Sequence, residues 1–215
     1  MNSTDPFDPA ADVSASLRTL AGRGELRRYR KGMLLIHEGD RGDSVYIILR
    51  GQVRAFTSDE EEREFTFGYY GPGDYMGELS LNGERRSASV IAEETTACAV
   101  VTRRMIEEQI AHDPAFAFEL LAKVIQRARL LSTRARELSL DSVYVRLVRL
   151  LDALAESATD GTRVVSRHCR HQELANVLGC SRAMVTRLLR DLARNGSVAQ
   201  EGRSIRLLRT LPARW

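Results

Sequence analysis

The sequence is short of cysteine and of lysine, and it has no long apolar run. Its three cysteines, Cys98, Cys169 and Cys180, are odd in number and far apart. They make neither a disulfide framework nor a metal box, and they fit a reducing compartment, so a cytoplasmic location is expected. No stretch of about 18 apolar residues exists, so no segment reads as a membrane span. Residues 1–12 lack the basic and apolar regions of a secretory leader, and none is expected. The four histidines, His37, His112, His168 and His171, are scattered. With no clustered ligands and no nucleophile–base constellation, neither a metal site nor an enzymatic activity is expected.

What is present describes an ordinary globular chain, 43% hydrophobic and 28% charged, with a net charge of +3. That small net charge hides an asymmetry. Residues 1–110 carry 14 basic and 19 acidic side chains, net −5, whereas residues 111–215 carry 18 and 10, net +8. A basic back half suggests a polyanionic partner. Of the 32 basic residues only Lys31 and Lys123 are lysines. Arginine suits bidentate phosphate and guanine contacts, although a GC-rich coding sequence explains the same bias equally well.

Residues 1–20 read as a disordered lead-in, with a short helix over Val13–Leu20 as the one local signal. From residue 21 to 112 glycines punctuate short apolar or alternating runs: Met33–Ile36, Ser44–Leu49, Gln52–Phe56, Glu64–Tyr69, Ser87–Ile91 and Ala97–Val101. Such spacing predicts an antiparallel roll or jelly roll. The acidic run Asp59–Glu62 falls at a solvated hairpin tip. From Pro114 the period becomes helical. Ala117, Leu121, Val124, Ala128, Leu131, Ala135 and Leu138 repeat at alternating spacings of four and three, which is a coiled-coil seam. Residues 113–140 are therefore expected to form a dimerisation helix, capped by Asp113 before Pro114, and the chain to be a homodimer. Residues 141–215 read as a helix to about Glu156, a polar loop over Ser157–Thr162, two more helices and a hairpin around Gly202. The whole is an α+β chain.

His171–Arg190 fits a 20-residue helix-turn-helix. With Gly179 at the ninth position, Ala175 takes the fifth, where two helices cross closely. Leu174, Leu178, Cys180, Val185 and Leu188 take positions that face the core. Gly179 ends the first helix in a left-handed conformation, and Ser181 caps the second. The second helix then turns Arg182, Ala183, Thr186, Arg187 and Arg190 outward. Recognition helices read bases near their N-terminus, so Arg182 and Arg187 are candidates for guanine contacts and Arg190 for phosphate. Arg203, at the hairpin tip, reads as a phosphate contact of a wing, and Arg170 and Ser181 complete the DNA-facing set.

A second constellation lies in the roll. Gly77-Glu78-Leu79-Ser80 follows a Gly-Pro-Gly-Asp turn and precedes Arg86-Ser87-Ala88. A phosphodiester needs a cation and converging donors. Arg86 supplies a fork, Ser87 a hydroxyl, and a turn after Gly77 backbone amides. Glu78 suits a ribose hydroxyl; alternatively it pairs internally with Arg86.

The order of these parts resembles the cyclic-AMP receptor protein branch of the Crp/Fnr transcription regulators, over about Leu26–Leu208. That resemblance implies a cyclic-nucleotide-binding roll, a long dimerisation helix and a winged helix-turn-helix. It implies an effector, cyclic AMP or another cyclic nucleotide, and no tightly bound cofactor. The implied partners are a palindromic double-stranded DNA operator, a second copy of the chain, and RNA polymerase. Glu78 matches the ribose-binding glutamate, Arg86 and Ser87 the phosphate pair, Gly77 and Leu79 the backbone cradle, and Arg182 and Arg187 the base-reading arginines. Three features depart from the pattern. The loop Leu81–Arg85 is shorter; the Thr-Ser pair of the dimer helix stands here as Leu131-Ser132; and Ala183 replaces a glutamate. Ser132 is kept as an effector contact. No cysteine precedes Cys98, so the iron–sulfur sensors of the family are a poor match. Cys98 and Cys180 read as buried small hydrophobes and His37 as structural. A regulator independent of any ligand, one gated by a cyclic dinucleotide, and an effector-binding module without DNA binding are the competing readings.

Overall fold

The computed structural model describes residues 13–158, 162–166 and 168–211. The chain divides into two compact units: Met1–Ser58 with Thr66–Ala128, and Asp59–Phe65 with Arg129–Trp215.

The first unit is an antiparallel roll of two four-stranded sheets. One sheet has the order β1 (Glu25–Tyr29), β8 (Thr96–Thr102), β3 (Ser44–Arg50), β6 (Tyr75–Met76). The other runs β2 (Leu34–Ile36), β7 (Ser89–Ala92), β4 (Val53–Ser58), β5 (Glu64–Tyr70). Side-chain parity explains why β3 is an almost unbroken apolar run. Tyr46 and Ile48 join a core with Ile36, Val53, Val90, Cys98 and Val100. Val45, Ile47 and Leu49 point the other way and join Leu17, Leu20, Ala99, Val101, Ile106 and Phe116. A strand covered on both faces cannot alternate with polar residues.

That second core is completed by helices. The short helix expected over Val13–Leu20, inside the lead-in, is helix α1 (Ala15–Arg23). Ser14 caps it by accepting from Leu17 N at 3.1 Å, and Leu17 and Leu20 are buried. The remainder of that lead-in, residues 1–12, lies outside the described residues. Arg103–His112, assigned to the roll, is helix α2, started by Thr102, which accepts from Met105 N. The tip Asp59–Glu62 is a polar hairpin turn, with Asp59 Oδ1 accepting from the amides of Glu61 and Arg63.

Helix α3 (Ala115–Leu140) is 26 residues long, and only Phe116 on it is buried. Asp113 Oδ1 accepts from Ala115 N, as the Asp-Pro start predicts. Leu121, Leu131 and Leu138 of the seam are 51%, 44% and 40% exposed in the single chain.

The second unit holds α4 (Val143–Leu154), α5 (His171–Leu178), α6 (Arg182–Arg194) and a four-stranded sheet, order β11 (Val198–Glu201), β12 (Ser204–Leu207), β10 (Arg163–Val165), β9 (Glu156–Ser157). Strand β9 replaces the end of the helix and the first residue of the loop expected over residues 157–162, and β10 follows that loop where no strand is expected. Leu147, Leu151, Val165, Leu174, Val185, Leu189 and Leu192 form its core, each 0–1% exposed. Burying one such leucine contributes roughly 1.5–3 kcal/mol. Arg146 closes two helix ends at once. It donates to Asp141 O at 2.9 Å, beyond the end of α3, and to Leu178 O at 3.0 Å, the last residue of α5. Helix C-termini leave carbonyls without intrahelical donors, and a cation there also complements the dipole. No helix among the described residues is long and apolar enough to cross a membrane.

Candidate effector pocket and nucleic-acid interface

In the roll, Gly77 has φ +96° and opens a single 3-10 turn over Glu78–Ser80. Only glycine adopts this conformation cheaply. A Cβ at Gly77 would also collide with Arg86 Nη1, and one at Gly42 would come within 2.6 Å of Arg86 Nη2. Both glycines make room for one guanidinium. Arg86 is 7% exposed. Its Nη1 donates to Gly77 O at 2.9 Å and Ser80 Oγ at 2.7 Å, and its Nη2 to Ser44 Oγ at 3.2 Å. All three acceptors are neutral. Among the described residues no carboxylate lies within ion-pair distance of it.

Glu78 does not pair with Arg86. Its Oε1 accepts from Arg127 Nη1 on α3 at 2.5 Å, and Arg127 also donates to Tyr75 O at 2.6 Å and stacks over the Tyr70 and Tyr75 rings. The other carboxylate oxygen, Glu78 Oε2, is buried without a hydrogen-bond partner. Glu78 borders an apolar cavity of about 420 Å3 that includes Tyr75, Leu79, Leu121 and Val124. A second cavity, about 610 Å3, is lined by Arg41, Gly42, Ser80, Arg85 and Arg103 among others.

The expected effector residues thus separate by role. Arg86 is buried and Glu78 half-buried, and both are held by hydrogen bonds. The Ser80 hydroxyl, 2% exposed, accepts from Arg86 and donates to Gly77 O at 2.9 Å, so it braces the arginine. Ser87 and Leu79 are exposed. Ser132 is exposed on α3, in the second unit. Sequence reading missed Gly42, Ser44 and Arg127, whose contacts with the motif cross long stretches of chain. Cys98 is 0% exposed, and burial pushes its thiol up to about 12, which removes thiolate chemistry at neutral pH.

In the second unit Gly179 ends α5 with φ +63°, and Ser181 Oγ accepts from Met184 N at 3.2 Å to start α6. Val185, Leu189 and Leu192 are buried and Leu188 half-buried, so the opposite face of α6 turns out Arg182, Ala183, Arg187 and Arg190, all exposed. Arg187 Nη2 lies 3.0 Å from Met184 Sδ. Thr186 is half-buried, and its hydroxyl donates to Arg182 O at 2.9 Å. Arg170 caps α5, its amide donating to Glu173 Oε2 at 3.2 Å, and its side chain stays 64% exposed. Arg203 stands at the β11–β12 tip beside Gly202, φ +61°. Exposed arginines on a helix face capped at its N-terminus suit contacts to a polyanion.

Comparison with known proteins gives this arrangement its context. The cyclic nucleotide-binding domain matches residues 26–113, and the Crp-like helix-turn-helix domain matches residues 145–210. The chain belongs to the Crp/Fnr family of transcription regulators. The cAMP-activated global transcriptional regulator CRP of Escherichia coli O6:H1 is 28% identical over 184 residues, covering 84% of this chain and 88% of its own. The CRP-like protein Clp of Xanthomonas axonopodis pv. citri is 28% identical over 214 residues, covering 94% and 91%. The solved structure of the c-di-GMP-responsive global regulator Clp of Xanthomonas campestris superposes with a TM-score of 0.83 at 22% identity, over 91% of this chain and 99% of that one. This Crp/Fnr regulator therefore couples a cyclic nucleotide-binding domain to a DNA-binding domain.

Proposed function

We propose that the protein is a homodimeric, sequence-specific transcription regulator of the cytoplasm, whose DNA affinity is set by a cyclic nucleotide bound in the roll. In this reading residues 21–112 sense, 113–140 dimerise and 141–215 bind a palindromic operator, with RNA polymerase as a further partner. The observation that carries it is the pairing of two incomplete groups. Arg86 is a buried cation with neutral partners only, and Glu78 Oε2 is a buried acceptor with none. A buried charge without a counter-charge is costly. A cyclic phosphodiester supplies the missing anion, and a ribose hydroxyl the missing donor. The apolar cavity beside Glu78 suits a nucleobase face. The exposed leucines of α3 support the dimer, because a seam whose leucines stay exposed in one chain calls for a second copy.

A cyclic dinucleotide is the second reading. It carries two phosphodiesters, and Arg41, Arg85 and Arg103 line a further cavity that also borders Gly42 and Ser80 of the Arg86 cradle. The relative Clp responds to c-di-GMP. The test is calorimetry of the purified protein against cyclic AMP, cyclic GMP and c-di-GMP, then a DNA mobility shift with and without each. Binding of a mononucleotide that changes the shift supports the first reading. Binding of c-di-GMP alone supports the second. A shift indifferent to all three makes the regulator constitutive and overturns both.

A further inference from the structure

One cluster on the DNA-facing side meets the expected contact set only through Thr186 and the backbone carbonyl of Arg182. His171, the first residue of α5, has its ring between α6 and the wing strand β11. Its Nδ1 lies 2.8 Å from Thr186 Oγ1, and its Nε2 lies 2.7 Å from Gln200 Nε2. Thr186 Oγ1 in turn donates to Arg182 O at 2.9 Å.

Proton counting orders this chain. A hydroxyl has one proton, and that of Thr186 goes to the Arg182 carbonyl. Towards His171 it can therefore only accept, so the ring proton sits on Nδ1. The lone pair of a neutral ring is then on Nε2, where the Gln200 amide donates. Donation runs in one direction, from Gln200 through His171 and Thr186 to the backbone of Arg182. Burial, and then the charge of Arg182, holds the ring below its usual pKa, which keeps it neutral at pH 7.

We infer that His171 is a positioning residue for DNA readout: as its Nδ1–H tautomer it locks the wing strand to the first turn of the recognition helix. This rests on the reading of α6 as that helix. The ring joins residues 15 and 29 positions away, through hydrogen bonds that involve both of its nitrogens.

The test has two readouts. The first is the ring-nitrogen NMR of ¹⁵N-histidine-labelled full-length protein without DNA. Nδ1–H is expected for His171 at pH 7; an Nε2–H tautomer or a protonated ring there overturns the inference. The second is anisotropy titration of an operator obtained by selection and of a random duplex. His171→Phe keeps a ring and removes both nitrogens. It should lose about tenfold on the operator and nothing on random DNA, with the salt slope unchanged. Gln200→Leu should lose in the same way, and the double variant no more than His171→Phe alone. His171→Asn can still donate to Thr186, so it should fall between wild type and His171→Phe, which keeps the test valid if the latter folds poorly. Equal losses on both duplexes, a salt slope reduced by about one as for a lost phosphate contact, or additive losses overturn the inference. A wild type that selects no preferred duplex removes the reading of α6 itself, a failure distinct from these.

Discussion

The roll and the helix-turn-helix both rely on arginine but use it in opposite ways. Arg86 is buried, braced by Ser44, Ser80 and Gly77, and cradled by two glycines. Arg182, Arg187 and Arg190 project from α6 into solvent. On the proposed function, the difference follows from the anion. A small phosphodiester has few atoms with which to bind, so its site gains from a fixed cation in a dry cradle, where charge-assisted hydrogen bonds are strong. DNA offers a line of phosphates, so mobile exposed cations suffice, and affinity comes largely from counterion release.

The largest effect expected comes from the proposed dimerisation helix. Val124→Glu or Leu131→Glu sets like charges against each other across a two-fold interface. Light scattering should give a monomer. Operator affinity should fall about 100-fold or more, because the second half-site no longer binds as an intramolecular event. A fully dimeric Leu131→Glu would remove the seam from the argument.

Next, Arg86→Leu should cost roughly 1.5–3 kcal/mol in effector binding, about tenfold or more by calorimetry. Effector binding should respond only weakly to salt, in contrast to DNA binding. Equal dissociation constants for wild type and variant would place the pocket elsewhere and break the contrast with α6.

On the exposed side, Arg182→Ala should remove about 1–3 kcal/mol of discrimination at one base pair in each half-site. Arg203→Ala should weaken all sequences alike and reduce the salt slope by about one. A randomised-operator selection on both variants separates them. Unchanged sequence preference for Arg182→Ala would refute its role as a base reader.

The smallest effect concerns pH. The folded-state pKa of His171 lies below its unfolded value of about 6.5. The folded state therefore binds fewer protons there. The stability this group contributes is present at neutral pH and is lost as pH falls from about 6.5 through the folded value. Melting wild type and His171→Phe between pH 7.5 and pH 5 should show a steeper acid loss for wild type. Parallel curves would mean that the ring is not held neutral.

Much of the fold is legible in the residues because it is written in local patterns. The glycine-separated runs become β2–β5, β7 and β8 with small shifts at their ends. The spacing around Gly179 and Ser181 gives the helix-turn-helix with its caps. Strand β1 escaped notice because Glu-Leu-Arg-Arg-Tyr is mostly exposed, and an exposed edge need not alternate. Helix α2 is ten residues long with few buried positions, too brief for a clear period. In the pocket, Gly77, Glu78 and Arg86 could be picked out as a motif. That Ser80 turns inward, and that Glu78 pairs with Arg127, could not.

Sequence alone determined the roll, the long helix α3 and the outward face of α6, since periodicity, glycine turns and caps act over a few residues. Tertiary structure decided which partner each polar group meets. Arg86 reaches Ser44 across 42 positions, Glu78 reaches Arg127 across 49, and His171 reaches Gln200 across 29. Strand register and helix packing set those meetings, and charge or hydrogen-bonding capacity read along the chain is the same whether or not the partner arrives.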